Sequence, residues 1–108
     1  MKQRVNGIDL NYAIDGPDGA PWVTFTTGIA NDVAMWDAHV DVLARDYRLL
    51  RYDSRGHGGS DATAPPYDFD MLIGDTVGLW DALGIEQSVL VGIGLGGMTA
   101  MATALRHP

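Results

Sequence analysis

Cysteine is absent from the 108 residues, which excludes disulfides and thiolate metal sites. No apolar run reaches the roughly 18 residues a membrane-spanning helix needs, so no membrane partner is expected. Basic residues are scarce, 7 against 14 acidic ones, and this balance argues against a nucleic-acid partner, whose phosphate backbone selects for positive charge. The 3 histidines do not recur with carboxylates at ligand spacing, so no metal site is implied. Internal repeats and low-complexity segments are missing, and Met1-Lys2-Gln3-Arg4 runs directly into strand-like sequence without an apolar leader. A cytoplasmic location is the expectation.

What is present is a hydrophobic content of 46%, enough for one modest core. Arg4 to Ile14 reads as two strands around Asn6-Gly7, a strong short hairpin signal. A Gly/Pro/Asp loop follows, then Trp22–Thr27, β-branched and aromatic, as a strand. Gly28–Asp32 reads as a turn with Asn31 or Asp32 as helix N-cap. Val33, Trp36, Val40, Leu43 and Ala44 then recur at helical spacing. Tyr47–Tyr52 is the next strand, and Asp53–Asp61 is a glycine-rich loop. Leu72, Thr76, Leu79 and Leu83 mark a second amphipathic helix ending at Gly84. Ser88–Val91 and the run Met98–Leu105 supply a last strand and helix. A hairpin followed by three strand–helix units predicts an α/β fold with a mainly parallel sheet.

Between that last strand and helix lies Gly92-Ile93-Gly94-Leu95-Gly96-Gly97. Two uses of glycine fit such a strand-to-helix turn. Gly92, Gly94 and Gly97 match the dinucleotide fingerprint Gly-x-Gly-x-x-Gly. That fingerprint opens the first βαβ unit of its domain, whereas here a hairpin and two units precede it. The other use is the nucleophile elbow, Gly-x-Ser-x-Gly, which holds a nucleophile above a parallel sheet. Gly92 and Gly96 occupy its glycine positions, and Gly94 stands where the serine would be.

Three blocks together resemble the α/β-hydrolase family. Leu50-Arg-Tyr-Asp-Ser-Arg-Gly-His-Gly-Gly-Ser60 is similar to the loop after the family's fourth strand, Trp80-Asp-Ala-Leu-Gly-Ile-Glu86 to the helix end before the fifth, and Val91–Met98 to the elbow. Within the family, Ala34-Met-Trp-Asp37 with Tyr52–Gly58 is most similar to the 3-oxoadipate enol-lactonases. The resemblance implies that residues 1–108 form a single, incomplete domain, the N-terminal half of the fold with strands one to five of its sheet. It implies a hydrolase of carboxylic esters or lactones needing no cofactor. The backbone N–H groups of Ile29 and Leu95 would form the oxyanion hole, with Gly28 and Trp36 lining the substrate site. The His-Gly pair usual after the third strand reads Thr27-Gly28 here, and the enol-lactonase-like members also tend to lack that histidine.

The family's triad runs Ser, Asp or Glu, His along the chain. Its acid and base would therefore lie after Pro108, and Gly94 has no Oγ, so the chain is expected not to turn over an ester. Gly94 is compatible with a deliberate replacement of serine, with natural loss in a binding or scaffold protein, or with chemistry drawn from bound water or another residue. The strand Ser88–Val91 would form an apolar edge, so the chain is expected to pair with a second polypeptide that completes the fold, or to self-associate. Other residues read as structural. His57 is expected to make loop hydrogen bonds, His39 to be solvated, and His107 to sit in the last helical turn. Asp53 and Arg55 are candidates for a loop ion pair, Asp32 and Asp61 for turns or caps, and Met98 and Met101 for the core. Trp36 lies on its helix's apolar stripe, so packing competes with a ligand contact, and Met35 beside it is a further candidate for an acyl pocket.

Overall fold

A computed structural model describes residues 1–108. Strands β1 (Lys2–Val5) and β2 (Ile8–Asp15) form the antiparallel hairpin, with Val5 opposite Ile8. Asn6 and Gly7 both have positive φ, 48° and 83°, as a two-residue turn matched to strand twist requires. Strand β3 spans Trp22–Thr26, and β4 spans Arg48–Tyr52. Helix α1 spans Asp37–Leu43 and α2 Phe69–Leu83, while β5 (Val89–Gly92) leads into α3 (Leu95–Arg106). The sheet has five strands in the order β1-β2-β4-β3-β5. β2 pairs antiparallel with β4, and β3 pairs parallel with both β4 and β5.

Alternation along the strands splits the core in two. Leu50 and Tyr52 join Val5, Ile8, Leu10, Leu79 and Ile85 on the α2 face. The neighbouring Leu49 points the other way and joins Val23, Phe25, Trp36 and Val40 on the α1 face. The sheet is mixed, with two antiparallel and two parallel pairings, and helices on both of its faces are the layered solution that buries it. No helix is long and apolar enough to cross a membrane.

Several local expectations change in the structure. The helix predicted from Val33 begins as a 3₁₀ turn, Val33–Trp36, with Asp32 as cap: its Oδ1 accepts from the Ala34 N–H at 2.9 Å. Asp68 caps α2 in the same way through Met71 N–H, and Gly84 closes its C-terminal end. Met98 and Met101 are not core residues, being 50% and 65% exposed. The buried face of α3 is instead Gly96, Thr99, Ala100 and Thr103, small residues that let the helix lie close against its neighbours. Asp53 and Arg55 do not pair with each other. Arg55 makes a two-pronged ion pair with Asp75 on α2, at 2.9 and 2.8 Å, and both side chains are buried. His107 lies one residue past the last turn of α3.

Candidate active site at the carboxyl ends of the parallel strands

The register places Thr26 of β3 opposite Gly92 of β5. Two residues further along each strand, the chains turn at Gly28 and Gly94, so the two turns face each other at the carboxyl ends of adjacent parallel strands. A Cβ built on Gly94 has the Gly28 Cα, 4.0 Å away, as its nearest neighbour. One on Gly28 would lie 3.2 Å from the Ile93 carbonyl oxygen.

The glycines of the turn play different parts. At Gly92 a Cβ would overlap Thr26 Oγ1 and lie 2.6 Å from the Gly96 carbonyl; at Gly96 it would overlap the Thr26 carbonyl and lie 2.7 Å from Thr27 O. Both positions are closed by packing. Thr26 Oγ1 bonds the Gly96 carbonyl at 2.6 Å and the Val91 carbonyl at 3.2 Å, fastening β3 beneath the turn. Gly94 is open, yet its backbone sits at φ 57°, ψ −125°, where side-chain-bearing residues are strained. A residue there would project into free space above the sheet.

Next to Gly94, Leu95 is the first residue of α3, and its N–H is one of the helix's orphan donors. Neither that N–H nor the N–H of Ile29 donates to any group of the chain. The Ile29 loop is held in shape around this free donor. Asn31 N–H bonds the Gly28 carbonyl and Asn31 Nδ2 the Ile29 carbonyl, each at 3.3 Å, and Ala30 takes a left-handed φ of 62°. Beyond the loop, Val33 N–H donates to Asp53 Oδ1 at 2.9 Å. Asp53 is 1% exposed, and its other oxygen accepts from Asn11 Nδ2 at 2.9 Å and Gly59 N–H at 2.8 Å. A buried carboxylate needs such donors; here they tie the end of β4, the hairpin and the Ile29 loop into one frame. Sequence reasoning missed this role, because the partners lie 42 and 20 residues away in the chain.

Trp36 is 6% exposed, its ring 4.9 Å from that of Phe25, so it serves the core rather than the open side of the turn. Met35 is a partly buried neighbour of the same cluster. The histidines have different settings. His39 is exposed on α1, edge-on to Trp36 at 5.4 Å. His57 Nδ1 bonds the Arg55 carbonyl at 3.1 Å. His107 follows the far end of α3, about 18 Å along its axis. Asp61 Oδ2 accepts from Asp9 N–H at 2.8 Å, a loop-fastening role.

Tyr52 lies beneath the site. Burial pushes its hydroxyl up to about 12, against a lowering hydrogen bond with Thr76 at 2.5 Å and with a further upward push from the Asp75 charge. The Arg55 guanidinium is raised above its ordinary value, chiefly by its hydrogen bonds to Asp75.

Comparison with known proteins gives a consistent picture. The family model described as the alpha/beta hydrolase fold matches residues 21–108. The 3-oxoadipate enol-lactonase 2 of Acinetobacter baylyi is 34% identical over 101 residues, 94% of this chain but 38% of that protein. Enol-lactonase 1 of the same organism is 38% identical over 95 residues, covering 88% of this chain and 35% of that one. The crystal structure of the enol-lactonase from Burkholderia xenovorans superposes with a TM-score of 0.97 at 41% identity, over 99% of this chain and 42% of that chain. The chain thus spans less than half the length of the relatives it matches.

Proposed function

From the premise that the chain belongs to the α/β-hydrolase fold family, we propose that it supplies the elbow and oxyanion hole of a site for carboxylic esters or lactones of the enol-lactone type. Gly94 occupies the nucleophile's place. The observation that carries this is the pair of facing turns: an open Gly94, in a conformation that strains any residue with a side chain, beside two backbone N–H groups, Ile29 and Leu95, with no partner in the chain. Two such donors match the developing negative oxygen of a tetrahedral acyl intermediate, and each is worth about 3 kcal/mol to the transition state. Gly28 keeps the facing wall free of a side chain.

Without an Oγ no acyl-enzyme forms at position 94. The site holds an acyl group and does not cleave it. The relatives are named as enol-lactonases, which favours a small lactone or ester as the ligand. Exposed apolar residues on β5 and α3, Val89, Met98, Met101 and Leu105, favour a covering polypeptide or a second copy on that edge.

The test is incubation with p-nitrophenyl acetate, followed by intact mass and release of nitrophenolate. The expected result is no acetyl adduct on residues 88–98 and no turnover beyond the roughly thousandfold over water that an oxyanion hole and binding alone sustain. An adduct at the turn, or enzyme-like turnover, would overturn the proposal.

A further inference from the structure

A cavity of about 120 Å³ opens beside the elbow, lined by Tyr67, Phe69, Leu72 and Leu95 together with His57. Its apolar wall includes the side chain of the residue whose N–H faces the proposed oxyanion position. A sealed apolar cavity of about 150 Å³ takes up benzene; this one is smaller but open to solvent on one side, so a single ring would seat in it with one edge outside. Phe69, on the first turn of α2 and part of the cavity lining, is 37% exposed.

Most of the polar atoms around the cavity are already committed. Arg55 is locked to Asp75. Tyr67 Oη donates to the Thr63 carbonyl at 2.9 Å and accepts from Thr63 N–H at 3.0 Å, and Asp68 caps α2 through Oδ1, its Oδ2 being the carboxylate alternative that the His57 variant below tests. His57 Nδ1 faces a carbonyl, which only accepts, so in the neutral ring Nδ1 carries the proton. That leaves Nε2 as an acceptor with no partner in the chain. We propose that this cavity is a ligand subsite for a compact apolar group bearing one hydroxyl, phenolic or enolic, whose O–H donates to His57 Nε2. It rests on the elbow as the acyl site only for its place in a larger substrate. In that role it would hold the part of the substrate lying beyond the acyl carbon.

The experiment is a ¹⁵N-amide NMR titration of the whole chain with phenol and, separately, benzene. Saturable shifts are expected at His57, Phe69, Leu72 and Leu95, with phenol about fivefold tighter than benzene, the worth of one hydrogen bond. His57→Phe should remove that preference. Phe69→Ala, at a half-exposed position, should weaken both probes, whereas Leu72→Trp should abolish both by filling the space, its fold checked by the same spectra. Absence of saturable shifts at these residues would overturn the subsite. So would a phenol preference that survives His57→Phe. Titration with methylphosphonate reports the elbow separately, through Ile29, which does not line the cavity: absence of a saturable shift there with phenol binding intact would reject the acyl site and leave the cavity standing.

Discussion

Placing a side chain at position 94 isolates backbone strain from packing. Gly94→Ser places a Cβ with nothing nearer than 4.0 Å, so no clash enters. The cost comes from φ 57°, ψ −125°: a strained, positive-φ backbone of this kind costs a side-chain-bearing residue about 1–3 kcal/mol. Replacing glycine also removes about 0.5–1 kcal/mol of unfolded-state entropy, in the opposite direction. The net is a loss of about 1 kcal/mol. With a urea slope of about 1–3 kcal/mol per molar, the midpoint should fall by roughly 0.3–1 M. Equilibrium urea melts followed by tryptophan fluorescence measure this. Gly92→Ser and Gly96→Ser serve as contrasts, since their side chains meet backbone and Thr26 and should cost several-fold more or prevent folding. A Gly94→Ser chain as stable as its parent, or more stable, would refute the strain at position 94.

Asp75→Ala leaves the Arg55 guanidinium buried without its partner, and should cost about 3–5 kcal/mol, while Arg55→Met with Asp75→Leu should recover most of that loss in the same melts. Tyr52 titrates higher folded (about 12) than unfolded. Its contribution is therefore fully present below pH 10 and declines as pH rises toward 12, because the unfolded chain loses the proton first. About 2–3 kcal/mol should disappear over that window, and the difference between parent and Tyr52→Phe melts from pH 9 to 11.5 should show it. Asp53→Asn replaces an acceptor by a group that also donates toward Val33 and Gly59, costing about 1–3 kcal/mol in denaturant melts and weakening methylphosphonate binding through the displaced Ile29 loop. The exposed Val89, Met98, Met101 and Leu105 predict association at micromolar concentration in native mass spectra; a monomer with a sharp cooperative melt would count against it.

Elements with a local cause were legible in the sequence. The Asn6-Gly7 hairpin, the Gly84 stop of α2 and the three strand–helix units follow from turn chemistry and periodicity, and the structure has them all. So were Gly92 and Gly96 as positions that admit no side chain. What failed was partner choice across the chain. The buried stripe of α3 is made of glycine, alanine and threonine, which hydropathy ranks below the outward methionines. Arg55 finds Asp75, 20 residues on, and not its near neighbour Asp53, whose carboxylate is already filled by N–H donors. The His57 cavity joins a loop, the start of α2 and the start of α3, so no stretch of sequence marks it.

The most direct measurement is a methylphosphonate titration of the ¹⁵N-labelled chain and of Leu95→Pro. Proline is tolerated at the first residue of a helix, so this change deletes the N–H while keeping α3. Saturable shifts at the Ile29 and Leu95 amides in the parent, lost at Ile29 in Leu95→Pro with the rest of the spectrum preserved, are the predicted result. Binding that persists undiminished in Leu95→Pro, or shifts that avoid both turns, would contradict the oxyanion site.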